Sequence, residues 1–217
     1  MMTRAKILIF GAGGLGREIM QIIRDLQQAL EPIDCVGFAV DRGYSAPSLI
    51  NALPVRSDWV EWLRSDPELQ IVVAIGDPAA RAAAVQRITA VHSARFATLV
   101  HPRAWTGKSV VIGEGSVVFG NSSATTDVRI GRHVLINPSC TIAHDCVLED
   151  FATLAPSVAL TGGVVVGSHA ELGVGARVAP RLRIGTRAVV GAGAVVIRDI
   201  EPGTTVVGVP AKPLRRT

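Results

Sequence analysis

Two rhythms of apolar residues divide the chain. Up to about residue 100, short apolar runs alternate with longer segments at helical spacing. KILIF (6–10) stops at glycines, the pattern of a buried parallel strand. GREIMQIIRDLQQAL (16–30) sets Ile19, Ile22, Ile23 and Leu26 on one helical face. CVGFAV (35–40) predicts a second strand, with Asp41 at its end. SDWVEWLRS (57–65) predicts a short helix capped by Ser57 or Asp58. IVVAI (71–75) is a third strand. DPAARAAAVQRI (77–88) opens a helix with Asp77 as N-cap and Pro78 in the first helical position. FATLV (96–100) is a fourth strand. This alternation predicts a small α/β layer on a parallel sheet, shorter than a full dinucleotide-binding domain, with HPRAWTG (101–107) as its junction to the second half of the chain.

Beyond residue 110 the period becomes six. Every sixth residue from Ile112 is aliphatic: Ile112, Val118, Ala124, Ile130, Ile136, Ile142, Leu148, Leu154, Leu160, Val166, Leu172, Val178, Ile184, Val190 and Val196. A small or β-branched residue stands two places before each, among them Ser116, Val128, Cys140, Ala152, Val164, Ala176 and Ala188. Gly113, Gly131, Gly167 and Gly185 follow members of the series at multiples of eighteen. No α-helix has period six. The period belongs to hexapeptide β-helix repeats, in which each coil stacks on the last and needs its neighbours to bury a core. Glycine is expected at turns with unusual backbone angles.

Composition narrows the chemistry. The formal charge is +4 and the basic residues are mostly arginine, which suits bidentate contact with phosphate or carboxylate. Nucleic acid is disfavoured: there is one tyrosine for stacking, no basic run, and only a short basic end, KPLRRT. Cys35, Cys140 and Cys146 form no CxxC, and Cys140 and Cys146 fall on the repeat as core fillers, which points to a reducing compartment. No apolar run approaches the ~18 residues of a membrane span. The N-terminal apolar run ends at glycines and then Arg17 and Glu18, so it reads as strand then helix rather than a signal peptide, and the expected location is the cytoplasm.

Two segments stand out chemically. GAGGLG (11–16) meets G-x-G-x-x-G between a strand and a helix, a spacing that turns amides and a helix N-terminus toward a phosphate. A tight turn alone explains the same glycines. INPSCTIAHDCVLEDF (136–151) places His144 beside Asp145, two residues after an inward aliphatic and so near a coil turn. Histidine is the usual base near neutral pH, and a carboxylate fixes its tautomer. Adjacent strand residues point apart, so such a pair needs a turn. His133 and His169 also fall in the repeat, but 133, 144 and 169 do not share one spacing of whole coils, and no metal site is expected. His92 and His101 sit at element ends and are expected at the surface or junction.

The stretches IFGAGGLGREI, VVAIGDPAAR, LVHP, INPSCTIAHDCVLEDF, APSVALTGGVVVG, VGAGAVV and VVGVPAK carry a resemblance across the whole chain. It is similar to the family of sialic acid O-acetyltransferases and pilin- or flagellar-sugar N-acetyltransferases. The resemblance implies an α/β Rossmann-like N-terminal domain that binds a nucleotide-sugar acceptor (1–100) and a left-handed parallel β-helix acetyltransferase domain of about five coils (101–217). It implies His144 as general base, Asp145 as the residue that raises its basicity, and Asn137 near the acceptor. The donor it implies is acetyl-CoA, with contacts from Thr153, Gly162, Gly173, Val174, Ala192 and Lys212. Gly13, Gly14 and Leu15 would hold the acceptor, and Asp41 and Arg42 would touch its nucleotide. This chain departs from the family at two places: Leu15 and Thr153 stand where many members carry histidine. The implied assembly is a homotrimer with the donor groove between subunits.

The leading expectation is N-acetylation of a nucleotide-linked amino sugar. The alternatives are O-acetylation of a sugar hydroxyl of the sialic acid type, and a non-catalytic trimeric nucleotide-sugar binding protein. An NAD-dependent oxidoreductase built on GAGGLG leaves the second half of the chain unexplained.

Overall fold

The computed structural model describes residues 4–91 and 93–214, so His92 lies outside the described residues. The chain separates into two compact units, Met1–His101 and Pro102–Thr217.

In the first unit the elements run β1 (Ala5–Phe10), α1 (Gly14–Gln28), β2 (Ile33–Ala39), β3 (Leu49–Ile50), β4 (Leu53–Arg56), α2 (Trp59–Ser65), β5 (Gln70–Val73), α3 (Pro78–Val91), β6 (Arg95–Phe96) and β7 (Leu99–Val100). The sheet order is β3-β4-β2-β1-β5-β6. β1 lies parallel to β2 and β5, so the chain winds outward from β1 in both directions. Ile7, Leu8 and Ile9 are buried, as their unbroken apolar run requires of a central strand. α1 packs its buried Ile19, Met20, Ile22 and Ile23 on this sheet.

Three sequence expectations change here. Asp58 precedes α2 but makes no side-chain cap bond, because its carboxylate is held by Arg56. FATLV is two short strands rather than one. The antiparallel pair β3–β4 was not expected at all. Its two-residue turn, Asn51–Ala52, takes positive φ at both positions (50° and 66°) without the glycine that usually marks such a turn. By contrast Asp77 caps α3 as expected, accepting from the Ala80 N–H at 2.6 Å.

The second unit is a parallel β-helix. Two-residue strands recur every six residues and pair in register with the strand eighteen residues on, as in Val117↔Leu135, Ser123↔Thr141 and Arg129↔Val147. Three strands make one coil, so three faces build up. Face 1 carries the Val117, Leu135, Thr153, Glu171 and Val189 strands, face 2 those of Ser123 to Val195, and face 3 those of Val111 to Arg183. Fourteen of the fifteen aliphatics point inward and are at most 3% exposed; Ile112, in the first coil, is half-buried. The small residues two places earlier tie the coils together. Ser116 and Ser122 hydroxyls and the Cys140 and Cys146 thiols each donate to a carbonyl fifteen residues on, at 2.8–3.2 Å.

The expectation that glycine takes the strained turn positions is corrected. From 115 to 193 a residue with φ near +60° recurs every six places, and most are not glycine: Asn121, Asp127, His133, Ser139, Asp145, Phe151, Ser157, His169, Arg181 and Arg187. The spaced glycines serve another need. A Cβ on Gly113 would lie 2.5 Å from the Gly131 carbonyl oxygen, and one on Gly167 would lie 2.6 Å from the Thr186 nitrogen. Glycine lets neighbouring coils close to backbone contact there.

Candidate functional site

His144 stands on the edge between faces 2 and 3. Its Nδ1–H donates to the Asp145 carboxylate at 2.7 Å. In the neutral ring, an Nδ1–H given to the carboxylate leaves the Nε2 lone pair open to take a proton. Neighbours in a regular strand would point apart; the positive φ of Asp145 (61°) swings its carboxylate to the imidazole. Both side chains are well exposed, at 62% and 65%. One coil further on lies Gly162, where a Cβ would fall 2.4 Å from His144 Cε1 and 2.5 Å from Nε2. Glycine there leaves room for the ring. The Gly163 N–H donates to the His144 carbonyl at 2.9 Å, fixing the backbone below the pair.

The other β-helix residues named from the sequence stand elsewhere. Asn137, Gly173, Val174 and Ala192 are on the edge between faces 1 and 2. Asn137 donates its amide to the Leu154 carbonyl at 2.8 Å, Val174 is 54% exposed, and a Cβ on Gly173 would meet the Ala192 nitrogen at 2.7 Å. Thr153 lies in face 1 and is only 5% exposed. Lys212 is exposed in a short strand antiparallel to Thr205–Val207. Thus one edge gathers His144, Asp145 and Gly162, and a second edge gathers four of the remaining residues.

His133 and His169 lie on the third edge, two coils apart, with Phe151 stacked between them at 5.0 Å from each ring. A Cβ on Gly115, one coil earlier, would lie 2.2 Å from His133 Nδ1. The spacing of eighteen that links residues 133, 151 and 169 carried this stack in the sequence, unnoticed. His101, expected at the surface or junction, is the last residue of the first unit, is 7% exposed and pairs through Nε2 with Asp25 at 2.8 Å. Burial pushes the Cys140 thiol up to about 11, consistent with an inert core position. Among the described residues no group of three or more His, Cys, Asp or Glu could hold a metal ion.

In the first unit GAGGLG joins β1 to α1 at the point where the sheet winds outward both ways, the usual ligand crevice of doubly wound sheets. Its glycines differ. A Cβ on Gly11 would lie 2.7 Å from the Ala74 oxygen and one on Gly16 would lie 2.1 Å from the Gly11 oxygen. Packing explains those two. Nothing lies within 4 Å of a Cβ on Gly14, and only the Tyr44 hydroxyl, at 3.9 Å, approaches one on Gly13. Those two glycines keep space open at a helix N-terminus, where an anion is favoured. Leu15 is half-buried beside them, and Asp41 and Arg42 are exposed at the end of β2. Asp41 is held by Arg87 at 2.8 Å. Across the crevice, Arg81 is 2% exposed and donates to the Ile75 and Gly76 carbonyls, both at 2.8 Å, fixing the loop after β5. Neither Tyr44 nor Arg81 was singled out from the sequence.

A curated relative, the GDP-perosamine N-acetyltransferase of Escherichia coli O157:H7, is 31% identical over 165 residues, 75% of this chain and 72% of the relative. The chain belongs to the nucleotide-sugar N-acetyltransferases. Residues 6–88 of this acetyltransferase match the family model of the PglD N-terminal domain. Its fold matches that of a histidine mutant of perosamine N-acetyltransferase from Caulobacter crescentus, in complex with CoA and GDP-perosamine, with TM-score 0.86, 32% identity and 97% of each chain covered. It also matches the acetyltransferase domain of PglB from Neisseria gonorrhoeae FA1090, in complex with acetyl coenzyme A, with TM-score 0.86, 29% identity, and 97% and 100% of the two chains covered.

Proposed function

We propose that this acetyltransferase moves the acetyl group of acetyl-CoA to the amine of a nucleotide-linked amino sugar, with GDP-perosamine the first acceptor to test. The observation that carries the residue assignment is the exposed His144–Asp145 pair at 2.7 Å. The amine nitrogen attacks the thioester carbonyl carbon. His144 Nε2 takes the proton the amine loses, and Asp145 stabilises the resulting imidazolium. The tetrahedral intermediate then expels the CoA thiolate, which receives that proton, leaving the amide. Gly13 and Gly14, with Leu15, Asp41 and Arg42, would receive the nucleotide. Asn137 would stand near the acceptor, and Thr153, Gly162, Gly173, Val174, Ala192 and Lys212 along the donor.

A homotrimer working in the cytoplasm is part of this reading. Its support is the division of the site residues over two edges of the β-helix, which a second copy can bring into one groove. Among the described residues no helix is long and apolar enough to cross a membrane.

The test is CoA thiol release from acetyl-CoA with GDP-, UDP- and dTDP-linked amino sugars and free sialic acid, run beside His144→Ala. Turnover of a nucleotide amino sugar that the mutant loses supports the reading. Turnover of a hydroxyl acceptor alone overturns it.

A further inference from the structure

His144 divides its edge of the β-helix. Its ring lies against the next coil, where a Cβ on Gly162 would fall 2.5 Å from Nε2, and Gly162 and Gly163 bring no side chain there. The preceding coil brings Thr126 and Asp127 to the same edge, eighteen residues before His144 and Asp145. The strands that follow, Arg129–Ile130 and Val147–Leu148, pair in register, so the two aspartates stand one strand spacing apart, about 4.8 Å along the stack. Both take positive φ, 55° and 61°. In both coils the residue before the aspartate reaches its carboxylate: the Thr126 hydroxyl donates to Asp127 Oδ2 at 3.2 Å, and His144 to Asp145 Oδ2 at 2.7 Å. A hollow of 430 Å³ opens beside them, lined by Ser109, Val111, Asp127, Arg129, Asp145 and Val147.

Only one of the hollow's two carboxylates is already committed. Asp145 is taken by His144. Asp127 is exposed, and among the described residues no lysine, arginine or histidine pairs with it, Arg129 included. Nor does the turn need this carboxylate. The Asp127 N–H donates to Ser109 Oγ at 2.8 Å, and the Ser109 and Thr126 hydroxyls meet at 2.9 Å, so backbone and hydroxyls hold it. An alkyl amine near neutral pH is largely an ammonium ion, a cation with three N–H donors, whereas a hydroxyl is neutral. A donor thioester finds room on the Gly162 side of the ring. The acceptor then comes to Nε2 from the Thr126–Asp127 side, where an unpaired carboxylate attracts a cationic amine and gives a hydroxyl no comparable gain.

We propose that Asp127 holds the acceptor's ammonium group on its approach to His144 and so selects amines over hydroxyls. This assignment rests on His144 serving as the base of a sugar acetyltransferase, and it makes the acceptor an amine. Before attack the ammonium gives one proton to the surrounding water, which the exposed His144–Asp145 pair admits. The neutral amine attacks, and its second proton goes to Nε2.

Asp127→Asn removes the charge and keeps the turn, since asparagine tolerates positive φ. Calorimetry of the full-length protein, wild type and variant, is run with GDP-, UDP- and dTDP-linked amino sugars, each beside the same nucleotide sugar with a hydroxyl in place of the amine. In the pair that binds, wild type is expected to favour the amine about three- to fivefold, the upper range of an exposed ion pair, with the margin shrinking as salt is raised. Asp127→Asn is expected to erase that margin and to leave acetyl-CoA binding within about twofold. No preference in any pair, no binding of either member, or a preference that survives in Asp127→Asn would overturn it. A preference that depends on Asp127 without thiol release would leave the assignment standing and sink the transfer reaction. Thiol release that His144→Ala abolishes, with no such preference, would do the reverse.

Discussion

Glycine does opposite work in the two units. In the β-helix, Gly113, Gly131, Gly167 and Gly185 are small because the next coil presses on them. In the first unit, Gly13 and Gly14 are small although almost nothing in the protein presses on them. A glycine demanded by packing belongs to the fold. A glycine that neither packing nor a positive φ demands, as at Gly13 and Gly14, leaves room for something that is not part of the chain. Gly162 joins the two cases, since the group pressing on it is the His144 ring. Residue type is the same at all these positions; the surroundings show what each glycine serves.

The largest effect should come from the ring itself. His144→Ala is expected to lower kcat by about 10²–10⁴-fold, the usual contribution of a general base, with Tm unchanged. An unchanged kcat would remove the β-helix edge from the comparison altogether.

Gly162→Ala comes next. Its Cβ must displace the imidazole, so kcat should fall about 10-fold or more, up to the loss set for removing the base. Gly167→Ala, which meets backbone atoms instead, should lower stability by about 1–3 kcal/mol in urea melts and leave kcat alone. If both variants behaved alike, the distinction between a site glycine and a coil glycine would collapse.

Gly14→Ala sharpens the other side of the comparison. With nothing within 4 Å and the residue at the start of α1, stability should hold or rise by about 0.5–1 kcal/mol. KM for the nucleotide sugar should rise while KM for acetyl-CoA stays put. A drop in Tm would mean that packing requires this glycine too.

The smallest effect is electrostatic. Burial alone would raise the Asp150 pKa, but the Arg132 backbone N–H and guanidinium outweigh it and hold the carboxyl below its ordinary value. A lowered folded-state pKa gives stability that is present above the unfolded value and is lost as pH falls through the folded one. Asp150→Asn should therefore lower Tm at neutral pH, with the gap from wild type closing in acid. A gap independent of pH would assign the loss to packing.

Much of the fold was legible because it is periodic. A single inward aliphatic every six residues leaves no other regular structure, and fourteen of those fifteen side chains are buried to within 3% of complete. The α/β unit was legible where a run was wholly apolar, as in β1, and where capping chemistry was explicit, as at Asp77. It was not legible at β3–β4, whose turn adopts positive φ with Asn and Ala. Nor was the part-buried His101–Asp25 pair, because its partners are far apart in sequence. His144 and Asp145 were legible as neighbours. Their hydrogen bond was not, because it depends on one backbone angle at Asp145.

The amino-acid sequence by itself determined the two-part organisation, the coil repeat and the adjacency of a histidine to a carboxylate, since each is a property of order along the chain. Tertiary structure decided which glycines answer to packing and which to open space. It also placed Asn137 and Ala192 on a different edge from His144. The physical reason is the same throughout: contact across coils and across the sheet depends on which residues the register and the turns bring within a few ångströms, and spacing along the chain does not carry that distance.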